Sequence, residues 1–151
     1  MISQLSENCS SLKETHGSLK QYIVKGVIHI ENEECVFIGK DTIIEHGAVI
    51  IGPCFIGSAC VIRKGSYIRG NVIIGNGSVI GNSCEIKNSI ILDEGQIAHF
   101  NYIGDSILGV KAHFSGGAIT SNLKFDTSEI KVIWKSEPVK TGLQKFGALV
   151  G

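Results

Sequence analysis

Residues 38–92 read IGKDTI IEHGAV IIGPCF IGSACV IRKGSY IRGNVI IGNGSV IGNSCE IKNSII L. Cut into sixes from Ile38, every block opens on a large aliphatic: Ile38, Ile44, Ile50, Ile56, Ile62, Ile68, Ile74, Ile80, Ile86 and Leu92. The chain of 151 residues holds 24 Ile and 8 Leu, so this run has a chance probability on the order of 10⁻⁷. Four positions on, the residues are small or short: Thr42, Ala48, Cys54, Cys60, Ser66, Val72, Ser78 and Cys84. Glycine often follows the aliphatic, at Gly39, Gly57, Gly75 and Gly81. A period of six matches neither the helical 3.6 nor the strand period of 2. It fits a short strand and a turn, repeated three times around a triangular prism, with coils stacked at ~4.8 Å. The aliphatic fills the inside and the small residue sits near the corner. The expected fold is all-β, a parallel β-helix of hexapeptide repeats.

Outward from the run, the phase slips after Leu92 to Ile97, Ile103 and Leu108, each slip removing a residue from a turn. A broken register draws attention to Ala98–Ser121, with His99 at the slip. After Ile119 the pattern stops. Residues 122–144 read as an excursion in which Glu129–Trp134 alternates like a strand and Pro138 and Gly142 mark turns. Lys145–Gly151 resembles a return to the coil, and further coils or a cap are expected beyond it. Upstream, residues 1–26 form an N-terminal arm, in which Leu5, Leu12 and Leu19 suit a helical stripe while Gly17 and the serines suit a linker. The repeat domain is then 27–151.

Composition agrees. Three Ile for each Leu favours strands. Two prolines and 43% hydrophobic residues exclude disorder and collagen. The balance of 14 basic and 14 acidic residues suggests neither nucleic acid nor an anionic membrane as partner. No apolar run approaches ~20 residues, and the N-terminus lacks a signal-peptide profile. Five cysteines without a C-x-x-C pair suggest reduced thiols and a cytoplasmic protein. Cys54, Cys60 and Cys84 occupy the small slot and read as packing; Cys9 and Cys35 lie outside it.

The chemistry-bearing residues are few. Arg69 and Lys87 are one 18-residue coil apart, so their backbones stack. Two adjacent cations repel unless an anion bridges them, and a phosphate or a solvated pair partly neutralised by Asp105 both fit. His99 and His113 are each compatible with catalysis or with plain packing. His16, His29, His46, His99 and His113 offer no metal-site spacing, so no metal is expected. There is no nucleophile elbow and no P-loop.

The segments Ile68-Arg69-Gly70, Ile80–Lys87, Ala98–Asp105 and Ser115–Asn122 closely resemble the acetyltransferase half of the bifunctional glucosamine-1-phosphate acetyltransferase/N-acetylglucosamine-1-phosphate uridylyltransferase family, with order and spacing kept from Arg69 to Asn122. The His-x-x-Tyr-x-Gly-Asp element at 99–105 is the specific part. The resemblance implies left-handed winding and a homotrimer with sites between subunits. It implies His99 as general base, and Arg69, Lys87, Tyr102 and Asn122 on the amino-sugar phosphate. Ser115, Gly116 and Lys145 would then meet acetyl-CoA, with no metal needed. Ile43, Ile73 and Ile91, outside the inward slot, are expected at the trimer contact. His113 and Leu123 depart from the family pattern, and the long excursion looks more like archaeal-type relatives. The 37 residues before the repeat cannot hold a uridylyltransferase domain. The expected activity is acetyl-CoA-dependent N-acetylation of glucosamine-1-phosphate, feeding UDP-N-acetylglucosamine and through it peptidoglycan and lipopolysaccharide. A lipid A pathway acyltransferase, disfavoured by the Tyr102–Asp105 continuation, and an inactive trimerisation module are the alternatives.

Overall fold

The computed structural model describes residues 21–151, so the helical stripe expected at Leu5, Leu12 and Leu19 lies outside the described residues. Parallel strands of two to three residues stack into three faces. The first face runs Ile23–Lys25, Ile43–Glu45, Val61–Ile62, Val79–Ile80, Gln96–Ile97 and His113–Phe114. The second runs His29–Glu31, Val49–Ile51, Tyr67–Ile68, Glu85–Lys87 and Tyr102–Gly104. The third runs Val36–Ile38, Cys54–Ile56, Val72–Ile74, Ser89–Ile91, Ile107–Leu108 and Leu149–Val150. The chain visits them in that order for about five turns, giving the left-handed parallel β-helix of hexapeptide proteins. Among the described residues no helix is long and apolar enough to cross a membrane.

The prism is filled by a column of side chains with essentially no exposure: Ile44, Ile50, Ile56, Ile62, Ile68, Ile74, Ile80, Ile86, Ile91, Ile97, Ile103 and Leu108. Burying each contributes roughly 1.5–3 kcal/mol. The small slot is buried as well, and its polar members bond to the neighbouring coil. Thr42 Oγ1 donates to the Gly57 carbonyl at 2.7 Å, Ser66 Oγ to that of Gly81 at 2.9 Å, and the Cys84 thiol to that of Ala98 at 3.2 Å. Glycine is required where coils touch: a Cβ on Gly81 would overlap the Ala98 carbonyl. Each turn leaving the first face passes through a residue at positive φ, at Gly26, Gly47, Gly65, Ser83, Phe100 and Gly117.

Four expectations are corrected. First, the slip lies one repeat earlier than counted. Ile91 is buried and Leu92 is 42% exposed, so the inward step of five is from Ile86 to Ile91. The next is from Ile103 to Leu108. Both fall on the turn from the second face to the third, where Ser89 and Ser106 replace a longer corner. Each hydroxyl donates within its own corner, Ser89 to Lys87 O at 2.8 Å and Ser106 to Gly104 O at 2.7 Å. Each also accepts from the next coil, Ser89 Oγ from Ser106 N and Ser106 Oγ from Ala148 N. The lost residue's bonds are thereby made good. Counting sixes cannot choose between adjacent aliphatics such as Ile91 and Leu92. His99 therefore sits on a regular turn, and Ile91 faces the core rather than a partner.

Second, the helix begins inside the expected arm, because Ile23–Lys25 pairs with Ile43–Glu45. The 3₁₀ turn Glu33–Cys35 lengthens that first coil and hides its period. Third, Pro138 does not turn the chain. It lies within Glu137–Lys140, opposite Ile133, in an antiparallel hairpin with Lys131–Trp134; the turn falls at Lys135 and Ser136, both at positive φ. An unpaired ribbon edge needs no N–H, which is why proline fits there. Fourth, Cys35 is disulfide-bonded, although reduced thiols were expected; sequence spacing does not say which sulfur atoms a fold brings into bonding distance. Cys54, Cys60 and Cys84 are free and buried. Burial pushes the Cys54 thiol up to about 12 and raises those of Cys60 and Cys84.

Candidate active site

His99 stands on the turn from the first to the second face and is exposed. Its ring meets Phe100 edge-on, with centroids 5.4 Å apart. Its Nε2 lies over Gly116, where a Cβ would come within 2.6 Å of it. The imidazole makes no hydrogen bond or ion pair among the described residues. It borders a groove of about 280 Å³ on the first face, lined also by Arg63, Asn82, Gln96 and His113. Two other described histidines, His29 and His46, are engaged elsewhere. His29 pairs with Glu31 at 3.0 Å, and His46 Nδ1 accepts from the Val27 amide at 3.2 Å. Ser115 and Gly116 form the turn stacked on His99, tied to it by the Gly117 amide donating to the His99 carbonyl at 3.0 Å.

The other expected residues gather across the second face. Tyr102 is in register with Glu85 and Tyr67, and Gly104 with Lys87. The Tyr102 ring leans across Gly104, where a Cβ would collide with the phenol oxygen. Asn122 Nδ2 donates to Tyr102 Oη at 3.2 Å and to Asp105 Oδ2. Asn88 Nδ2 donates to Asp105 Oδ1 at 2.6 Å. Lys145 follows the excursion, bridging antiparallel to Leu123, and the next amide, Phe146 N, donates to the Asn122 carbonyl at 3.0 Å. Tyr102, Asn122 and Lys145 are thus brought to one corner. None of them lines the His99 groove.

Arg69 and Lys87 stack as expected but do not share an anion site by default. Arg69 Nη1 reaches back to Glu85 Oε1 at 2.5 Å, and its guanidinium lies 5.7 Å from the Tyr67 ring centroid. The pair is partly exposed, which limits it to about 0.2–1 kcal/mol. The Lys87 ammonium has no salt bridge among the described residues.

Two parts of the site were not singled out from the sequence. The groove partners Arg63 and Gln96 come from coils two apart, and no motif links them. The Asn88–Asp105–Asn122 ladder does carry a signal: with Asn71, these residues recur every 17 positions, the length of the shortened coils. Among the described residues, Asn101 Nδ2 is buried without a hydrogen-bond partner.

Residues 50–133, more than half of the chain, match the family model described as the GMPPB C-terminal domain. Over 56 residues the chain is 38% identical to a bifunctional sugar-1-phosphate nucleotidylyltransferase/acetyltransferase of Sulfurisphaera tokodaii, covering 37% of this chain and 14% of that protein. It is 43% identical over 56 residues to the bifunctional protein GlmU of Methanococcus maripaludis, covering 37% of this chain and 13% of that protein. These matches span about a seventh of the curated relatives' length. A hexapeptide-repeat acetyltransferase of Vibrio cholerae superposes with a TM-score of 0.49 at 17% identity, over 78% of this chain and 88% of that one.

Proposed function

The chain belongs to the GMPPB C-terminal domain family, and from that premise we propose that it transfers the acetyl group of acetyl-CoA to the amine of glucosamine-1-phosphate or a closely related amino-sugar phosphate. The product would feed UDP-N-acetylglucosamine synthesis. The names of the sugar-phosphate relatives support the reaction class. The observation that carries the reading is His99: an exposed imidazole with no hydrogen bond, bordering a groove and seated on a glycine.

The chemistry needs little more. A protonated amine cannot attack a thioester. The neutral His99 imidazole takes one proton from the substrate ammonium, the amine lone pair adds to the thioester carbon, and the second proton on nitrogen passes to water as the amide forms. The carbon–sulfur bond breaks, CoA leaves as thiolate, and the proton on His99 neutralises it. No covalent enzyme intermediate is required. Lys87 and the Tyr102 hydroxyl hold the phosphate, with Arg69 contributing once it leaves Glu85. Holding the phosphate aims the amine at the thioester. Asn122 meets the sugar. Ser115, Gly116 and Lys145 meet acetyl-CoA.

Because His99 and the Lys87–Tyr102 corner lie on different parts of one prism, the reading includes a homotrimer in which a neighbouring copy completes each site. An outward apolar row on the third face supports it: Phe37, Phe55, Ile73, Ile90, Ile107 and Leu149 follow one another in register. Light scattering at micromolar concentration should find three copies, and a monomer would remove this part. One observation favours a second reading as a non-catalytic trimerisation module: the Arg69 charge is already taken by Glu85.

His99→Ala separates the two. In the first reading acetyl transfer falls by about 10²–10⁴, the melting temperature is kept, and raising the pH partly rescues the rate because free amine forms unaided. Acetylation at the parental rate at neutral pH would place the base elsewhere, with His113 next to be tested.

A further inference from the structure

Asp105 lies at the turn from the second face to the third, with φ +51°, above Asn88 at +47° and Asn71 at +52°. Its carboxylate is clasped from both sides. Asn88 Nδ2 donates to Oδ1 at 2.6 Å, and Asn122 Nδ2 donates to Oδ2. An ionised carboxylate only accepts hydrogen bonds, whereas a carboxamide has a donor end and an acceptor end. Both amides must therefore turn their NH₂ groups toward Asp105 and their Oδ1 atoms away. The second N–H of Asn122 goes to Tyr102 Oη at 3.2 Å. Both amide hydrogens of Asn122 are then used, and its Oδ1 accepts no hydrogen bond among the described residues. The Tyr102 oxygen, having accepted from Asn122, keeps its own proton to donate outward. That phenol lies across Gly104, the register neighbour of Lys87.

We propose that Asp105 is a positioning residue that sets the hydrogen-bond polarity of the acceptor-substrate site. Through it Asn122 presents only an acceptor, suited to a hydroxyl or ammonium group of the substrate, and Tyr102 presents a donor, suited to a phosphate. A site with the amide reversed would offer the sugar a donor and take the Tyr102 proton inward, away from the phosphate. The inference rests on the reading of the chain as an amino-sugar-phosphate acetyltransferase. It adds that the carboxylate discriminates without touching the substrate, through Asn122 and Tyr102, which do.

The test has an arm that needs no substrate. In the full chain, side-chain amide exchange measured by NMR should be about tenfold or more slower for Asn122 than for an exposed asparagine, and Asp105→Asn should abolish the protection. Asparagine is nearly isosteric and tolerates positive φ, but it sets one amide donor against another. Exchange of Asn122 at the solvent rate in the parent chain would overturn the proposal, whether or not the variant folds. In the kinetic arm, Asp105→Asn should raise KM for glucosamine-1-phosphate about tenfold or more, with kcat within about twofold. Asn122→Ala should do the same, and the double variant should be no worse than Asn122→Ala alone. Losses that multiply, or an unchanged KM, would refute action through Asn122. Asn88→Ala loosens the opposite side of the ladder; a KM as high as that of Asp105→Asn would make the role merely structural. A chain that acetylates nothing would defeat the proposed function, while the exchange arm still decides whether Asp105 holds Asn122.

Discussion

The prism and the hairpin of residues 131–140 are built from the same residue types and behave as opposites. Ile62, Ile80 and Ile86 have no exposed surface, whereas Ile133 and Trp134 are each 66% exposed and Val139 is 49% exposed. Both regions have strand-forming sequences, and both make regular backbone ladders. What differs is the existence of a neighbour above and below. In the prism each aliphatic is covered by the same position of the next coil, so burial repeats as the sequence repeats. Among the described residues the hairpin is a separate two-stranded sheet, and a two-stranded ribbon alone is marginal in water. It is anchored at its base, where Leu123 bridges Lys145 and the Thr141 hydroxyl donates to the Ile130 carbonyl at 2.6 Å.

The sharpest way to break this contrast is a matched pair of truncations. Ile86→Ala should cost about 2–5 kcal/mol, as removal of a packed core side chain does. Ile133→Ala should stay within about 0.5 kcal/mol. Denaturant unfolding of both variants checks it, and equal losses would mean that the hairpin is packed against something in solution.

Alkali should act on the prism through its buried thiols. The thiols of Cys54, Cys60 and Cys84 are raised by burial from a value of 9.0, Cys54 to about 12. A raised folded value stabilises the protein fully below the unfolded value, and that stability is lost as pH climbs toward the folded one. Unfolding free energy should therefore fall between about pH 9 and 12 through Cys54, and the raised Cys60 and Cys84 thiols act in the same direction. Cys54→Ala, matching Ala48 and Ala112 in the same slot, should flatten the slope; an unchanged slope would assign it to other groups.

The smallest effect is expected in the hairpin. Lys131 and Lys140 stand directly opposite each other, an arrangement that repels. Lys131→Glu should stabilise the ribbon by about 0.2–1 kcal/mol. Backbone hydrogen exchange of residues 131–140 should slow while the global melting temperature stays put. A rise in the global value would show that the two regions unfold together.

The residues explain which parts were legible. The column from Ile44 to Ile86 and the small slot from Thr42 to Cys84 could be read by counting, because each position repeats the same environment. The corner shortened at Ser89 could not, since Ile90, Ile91 and Leu92 offer three adjacent candidates for one inward place and the choice depends on how the corner hydrogen-bonds. Among the candidate site residues, the stacking of Arg69 on Lys87 followed from spacing, and the diversion of Arg69 to Glu85 did not. A long side chain samples partners up to a strand away, and its choice is made by whichever charge the folded surface places within reach.

By itself the sequence determined the period, and with it the prism, its filling and the residues that stack at each corner. A six-residue repeat leaves no other economical way to bury so many isoleucines. Only the tertiary structure decided which way the Asn122 amide points, that the His99 ring rests on Gly116, and that Tyr102 lies over Gly104. The first two are contacts between coils 17 residues apart and the third lies within one strand, and all are made by side chains whose orientation no local pattern encodes.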